Sequence, residues 1–133
     1  MDMANPAYGF KRTVPVPVEE ADRQVREALQ AEGFGILTEI DVRATMKKKL
    51  DVDFRNYRIL GACNPPLAHR ALSGELLIGL LLPCNVVVFE QDDGTVTVSA
   101  VKPAEMFKVV DNPGLESIAG EVQARLRRAI EAV

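Results

Sequence analysis

The sequence predicts an α+β domain, a two-layer α/β sandwich in which helices cover one face of a mainly antiparallel five-stranded sheet. Three observations lead there. Stretches with strand-like and helix-like hydrophobic spacing alternate through the first half of the chain. A hairpin with the turn Asp92-Asp93-Gly94 follows. A long amphipathic helix closes the chain, and with its companions it can shield one side of the sheet, giving two layers.

Residues 1–7 read as a flexible leader to a single domain over 8–133. They carry neither the basic stretch nor the apolar core of a secretory signal. Residues 8–14 (YGFKRTV) form a first strand, ended by Pro15 and Pro17. Over 18–32, Val18, Ala21, Val25, Ala28 and Leu29 share one helical stripe. Glu19 and Glu20 suit the start of that helix, and Gly33 suits its stop.

In residues 34–40, Phe34, Ile36 and Ile40 share strand parity. A short helix over 41–51 is capped by Asp41, with Val42, Met46 and Leu50 on one side and Lys47, Lys48 and Lys49 across its outer surface. Residues 57–64 make a third strand, which Pro65-Pro66 ends. Pro66 then opens a short helix that closes near Ser73-Gly74. Residues 76–82 are equally compatible with irregular buried chain and with the approach to a strand.

The hairpin pairs residues 85–91 with 95–101. A three-residue loop sets Gln91 against Thr95, Val88 against Val98 and Val86 against Ala100, which collects the valines on one face with Cys84 on the same parity. Gly94 takes the left-handed position. Val87 and Phe89 point the other way, so the fourth strand is apolar on both faces and belongs in the middle of the sheet. Thr95, Thr97 and Ser99 make the opposite face of the fifth strand polar. Residues 103–110 form a short helix, and 115–132 the last one, striped by Leu115, Ile118, Ala119, Val122, Leu126, Ala129 and Ile130.

Composition narrows the function classes. The net charge of −3 creates no field for nucleic acid or anionic membrane, and Trp is absent, so base-stacking platforms are scarce. The basic residues around Lys47–Lys49 are diluted by Asp41, Asp51 and Asp53 and read as a solvated helix face. The longest apolar run stops at Pro83 and is too short to span a bilayer. Two cysteines form no disulfide framework, which fits a reducing cytoplasm. No nucleic-acid or membrane partner and no cofactor is expected.

Chemistry concentrates in residues 59–89. Cys63-Asn64 runs into Pro65-Pro66, Cys84-Asn85 follows Pro83, and the sole histidine, His69, lies between. Cys63, His69 and Cys84 match no standard zinc spacing and lack a fourth ligand. Cys63, close to a helix start, is the better candidate for a reactive thiol. Cys84, on the apolar parity, reads as inert. Asn64 and Asn85 could orient a polar ligand, although asparagines at strand ends more often satisfy backbone groups. No serine has a nucleophile-elbow context, and Gly33-Phe34-Gly35 precedes a strand, so it is not a phosphate loop.

Three phrases, EGFGILTEIDV, YRILGACNPPLAHRAL and IGLLLPCNVVVFE, resemble the bacterial and archaeal family known as domain of unknown function 302. The resemblance implies a two-layer α/β fold with an antiparallel sheet, and dimers. It carries over no catalytic residues.

The functional expectation is a cytoplasmic homodimer that binds a small ligand or a protein partner near Cys63, Asn64, Pro65, His69, Cys84 and Asn85. The two copies would meet through the uncovered sheet face around Val87 and Phe89. One alternative is a thiol-dependent sulfur or redox protein using Cys63, with Cys84 as its partner. Another is a purely structural interaction module. Whether any reaction is catalysed is open at this point.

Overall fold

A computed structural model describes residues 5–133. Five strands, β1 (Gly9–Val14), β2 (Gly35–Asp41), β3 (Tyr57–Cys63), β4 (Cys84–Glu90) and β5 (Val96–Val101), form one sheet in the order β1-β5-β4-β3-β2. Every neighbouring pair is antiparallel. The helices are α1 (Val18–Ala31), α2 (Val42–Leu50), α3 (Pro65–Gly74), α4 (Pro103–Met106) and α5 (Glu116–Glu131). The α+β sandwich expected from the sequence is the fold observed. Of the expected leader, residues 1–4 lie outside the described residues; Asn5 Oδ1 accepts a hydrogen bond from the Lys11 amide at 2.8 Å.

The hairpin register is the expected one. Val86 faces Ala100 and Val88 faces Val98, the Gln91 amide donates to the Thr95 carbonyl at 2.8 Å, and Gly94 has φ +85°. With β4 in the middle of the sheet, Leu60, Val86, Val88, Val96, Val98 and Ala100 are almost fully buried on the helix-covered face. Val25 and Leu29 of α1 and Leu126 and Ile130 of α5 complete the core.

Four expectations are corrected. Phe34, Ile36 and Ile40 do not share a face, because the β2–β3 register shifts between Ile36 and Thr38. The extra residue re-aims everything after it. Ile36 pairs with Ala62, whereas Ile40 pairs with Ile59 on the open side. On α2, Asp41 does cap, its Oδ1 accepting from the Ala44 amide at 2.9 Å, but the stripe of Val42, Met46 and Leu50 is nowhere buried. Residues 76–82 are neither buried chain nor strand: Leu76–Leu81 is a 3₁₀ turn with Leu76, Leu77 and Leu80 in solvent. The helix expected over 103–110 stops at Met106, and a 3₁₀ turn, Phe107–Val109, continues it. One polar residue of β5 is also deeper than its type suggests. Thr97 is buried, with Gln91 Nε2 donating to its Oγ1 at 2.8 Å.

Candidate functional site

The end of β3 is where most of the candidate residues meet. Ala62 pairs with Cys84 across the β3–β4 ladder, so Cys63 lies one residue past that pairing. The chain then turns at Asn64 into α3. Pro65 occupies the first helical position, where its missing amide is no loss. Asn64 Oδ1 accepts from the Leu67 amide at 3.3 Å and caps the helix. Its Nδ2 reaches back to the Glu32 carbonyl at the stop of α1, at 3.4 Å. Arg125 Nη1 of α5 donates to the same carbonyl at 3.2 Å. Asn64 therefore ties three helices together, and its donor and acceptor are both occupied.

Beside this junction lies a cavity of about 270 Å³. Ala62, Cys63 and Asn64 form one wall. Leu67, Ala68, Ala71 and Leu72 of α3 form a second, and Leu82, Pro83 and Cys84 a third. Phe34, Leu37, Phe107, Ile118 and Val122 complete the lining. Apart from Cys63, Cys84 and the committed Asn64, every lining residue is apolar. No carboxylate, histidine, lysine or arginine reaches it among the described residues. Such a chamber can hold an apolar molecule, but it contains no evident acid, base or charge-stabilising group.

The candidates from the sequence thus divide. Cys63, Asn64 and Cys84 line the cavity. Pro65, His69 and Asn85 are exposed and do not. His69 faces solvent from α3, and its backbone carbonyl accepts from Ser73 Oγ at 2.7 Å. Among the described residues, no three His, Cys, Asp or Glu side chains are grouped to hold a metal.

Both cysteines are free thiols. Burial raises the Cys63 pKa above the ordinary thiol value despite the helix start next to it. Burial, with the neighbouring Cys63 adding to it, pushes Cys84 up to about 11. A nucleophilic cysteine needs the opposite shift. Near neutral pH both thiols are neutral, and they serve the cavity as small, weakly polar wall groups.

Sequence reasoning missed Phe107, Ile118 and Val122 as part of the site. Ile118 and Val122 had been assigned to the core stripe of the last helix. That stripe is fully covered at Leu126 and Ile130 and slightly open at Ile118 and Val122, where the cavity lies.

A second cluster, also missed, is ionic. Asp22 on the buried stripe of α1 accepts from Arg26 Nε at 2.6 Å, and its Oδ2 lies 3.3 Å from Arg58 Nη1 without a hydrogen bond. Arg58 also pairs with Glu19, and Arg26 with Glu39 at 3.0 Å. The visible signal was Asp22 itself, four residues after Val18 on an apolar stripe. The cluster joins α1 to β2 and β3 and has no cavity beside it.

Comparison with known proteins agrees with this architecture. A family model described as domain of unknown function DUF302 matches residues 10–133. The crystal structure of an uncharacterized conserved protein DUF302 from Bacillus stearothermophilus is similar, with a TM-score of 0.88 and 30% sequence identity. The match covers 96% of this chain and 98% of that one. No curated protein matches. Among the described residues, no helix is long and apolar enough to cross a membrane.

Proposed function

The chain belongs to the DUF302 family, and we propose that within it this protein binds a small apolar ligand in the cavity beside Cys63 and Cys84. The observation that carries this reading is the lining: an enclosed space of about 270 Å³ whose only free polar groups are two neutral thiols. A dry apolar cavity of roughly 150 Å³ accepts benzene, which scales to a ligand of about ten non-hydrogen atoms here. A cytoplasmic setting, which keeps both thiols reduced, is part of this reading.

Naphthalene is a suitable probe. Saturable amide shifts in a ¹⁵N-correlation spectrum, centred on β3, α3 and α5, are expected. Ala71→Phe fills the cavity and should abolish them while leaving the circular dichroism unchanged. If neither naphthalene nor a medium-chain alcohol produces saturable shifts up to its solubility limit, the reading is wrong.

The same reading includes a homodimer joined through the open sheet face. Ile40, Ile59, Val87 and Phe89 share that face, and Tyr57 stacks on Phe89 with centroids 5.0 Å apart. A nine-residue helix without any buried residue, α2, gains little stability alone, which supports a second copy covering it as well. Sedimentation equilibrium at micromolar concentration should give twice the chain mass, and Val87→Lys should halve it. A wild-type monomer would remove the dimer.

A further inference from the structure

The aliphatic side chains that stand furthest into solvent are gathered at one end of the molecule. Leu76, Leu77 and Leu80 are 83%, 70% and 82% exposed on the 3₁₀ turn. Val109, 80% exposed, stands on the neighbouring 3₁₀ turn. Asn112 holds the two turns together, its Nδ2 donating to the Gly74 carbonyl and to Glu75 Oε1, each at 3.1 Å. No charged residue occurs between Glu75 and Glu90. Four such side chains in water are unfavourable unless something covers them.

The turn also adjoins the cavity. It leads directly into Leu82, Pro83 and Cys84 of the cavity wall, and Phe107 of the second turn is another wall residue. Leu72, which lines the cavity and is partly exposed, has its Cδ2 only 3.9 Å from where a β-carbon on Gly79 would stand. An apolar molecule could pass from the leucine turn to the chamber along side chains that are themselves apolar.

We infer that the leucine turn docks on a lipid bilayer and that the cavity exchanges its ligand with that bilayer, so the ligand is a small membrane-soluble molecule. The statement about the ligand rests on the proposed function; the docking does not. A bilayer suits the turn better than a second copy does. Three leucines that each bury on the order of 100 Å² would give a symmetric contact well below the roughly 1,000 Å² of a stable interface. The open sheet face, which offers a second copy more surface, lies elsewhere.

Docking by apolar side chains needs neither a spanning helix nor net positive charge, the two features whose absence led the sequence reading to expect no membrane partner. Three leucines carry fewer carbons than a myristoyl chain, which by itself holds a protein only reversibly. Docking is therefore transient, as exchange requires.

The test uses full-length protein and phosphatidylcholine vesicles without anionic lipid. Wild type should co-sediment with them equally at low and high salt. L76Q/L80Q, at two exposed positions, should keep its fold and bind at least tenfold more weakly. Absence of wild-type binding, or binding that the double variant leaves intact, overturns the docking. So does a drop in sedimentation mass of L76Q/L80Q without lipid, which would make a second copy the occupant. Naphthalene shifts measured without vesicles report the cavity separately. Docking without those shifts overturns the exchange and the proposed ligand, and shifts without docking overturn only this inference.

Discussion

Asn64 Nδ2 stands 2.9 Å from the point a β-carbon on Gly33 would occupy. The stop of α1 and the start of α3 are thus built against each other. Gly33 has φ +87°, and its bareness lets the Asn64 amide approach the Glu32 carbonyl. The Cys63-Asn64 phrase owes half its character to this junction and only the cysteine half to the cavity.

Gly33→Ala combines a left-handed backbone with that clash and should destabilise by about 1–3 kcal/mol. Asn64→Ala loses the cap of α3 and should cost about 1–2 kcal/mol. The double variant should be less destabilised than the sum by roughly 0.5 kcal/mol or more, since alanine at 64 makes room for the new methyl. Urea denaturation of the four proteins checks this, and strict additivity would mean the two residues act independently.

Gly61 faces a tighter restriction. A β-carbon there would collide with Thr38 Oγ1 and lie 2.6 Å from Pro83 Cγ. Gly61→Ala should lose about 2 kcal/mol or more by overpacking. Adding Thr38→Ala removes one of the two obstacles and should restore part of the loss, measurable as a partial recovery of the urea midpoint.

The ion cluster around Asp22 should behave as a coupled unit. Asp22→Ala leaves Arg58 and Arg26 without their most enclosed partner, at a cost of about 2–4 kcal/mol given their partial exposure. Arg58→Ala leaves Asp22 facing nothing on its Oδ2 side. A double-mutant cycle should return a coupling of about 1 kcal/mol or more. A value near zero would mean solvent already screens the pair.

Alkaline pH should weaken the fold through Cys84. Its folded pKa is about 11, against about 8.5 for an unfolded thiol. Below 8.5 both states hold the proton and stability is full. Above that the unfolded chain releases it first, so stability falls as pH rises toward 11, by about 2–3 kcal/mol in all. Urea midpoints across this range should decline for wild type and decline less for Cys84→Ala. At neutral pH a thiol reagent should label Cys63 faster than Cys84, which is the more deeply buried of the two.

What could be read from the chain was what neighbours in sequence decide. The cap at Asp41, the stop at Gly33 and the hairpin from Val86 to Ala100 all depend on a few adjacent residues, and all are as expected. Even Asn64, weighed beforehand as a structural residue at a strand end, proved to be one. Local reading failed where one extra residue intervened. The bulge at Leu37 separates Ile40 from Ile36, and spacing alone could not reveal it.

The sequence by itself determined the sheet-and-helix architecture, the central place of β4, and the prominence of the two Cys-Asn phrases. Hydrophobic period encodes which face of an element turns inward, and that is a local property. Only the tertiary structure decided that Cys63 and Cys84 share a wall with Phe107, Ile118 and Val122, that Asp22 meets Arg58, and that the leucines after Glu75 stand in solvent. A cavity is a place that no side chain fills, and whether an apolar residue is covered depends on its neighbours in space. Both are set by how distant elements pack together, and no stretch of the chain read alone records that.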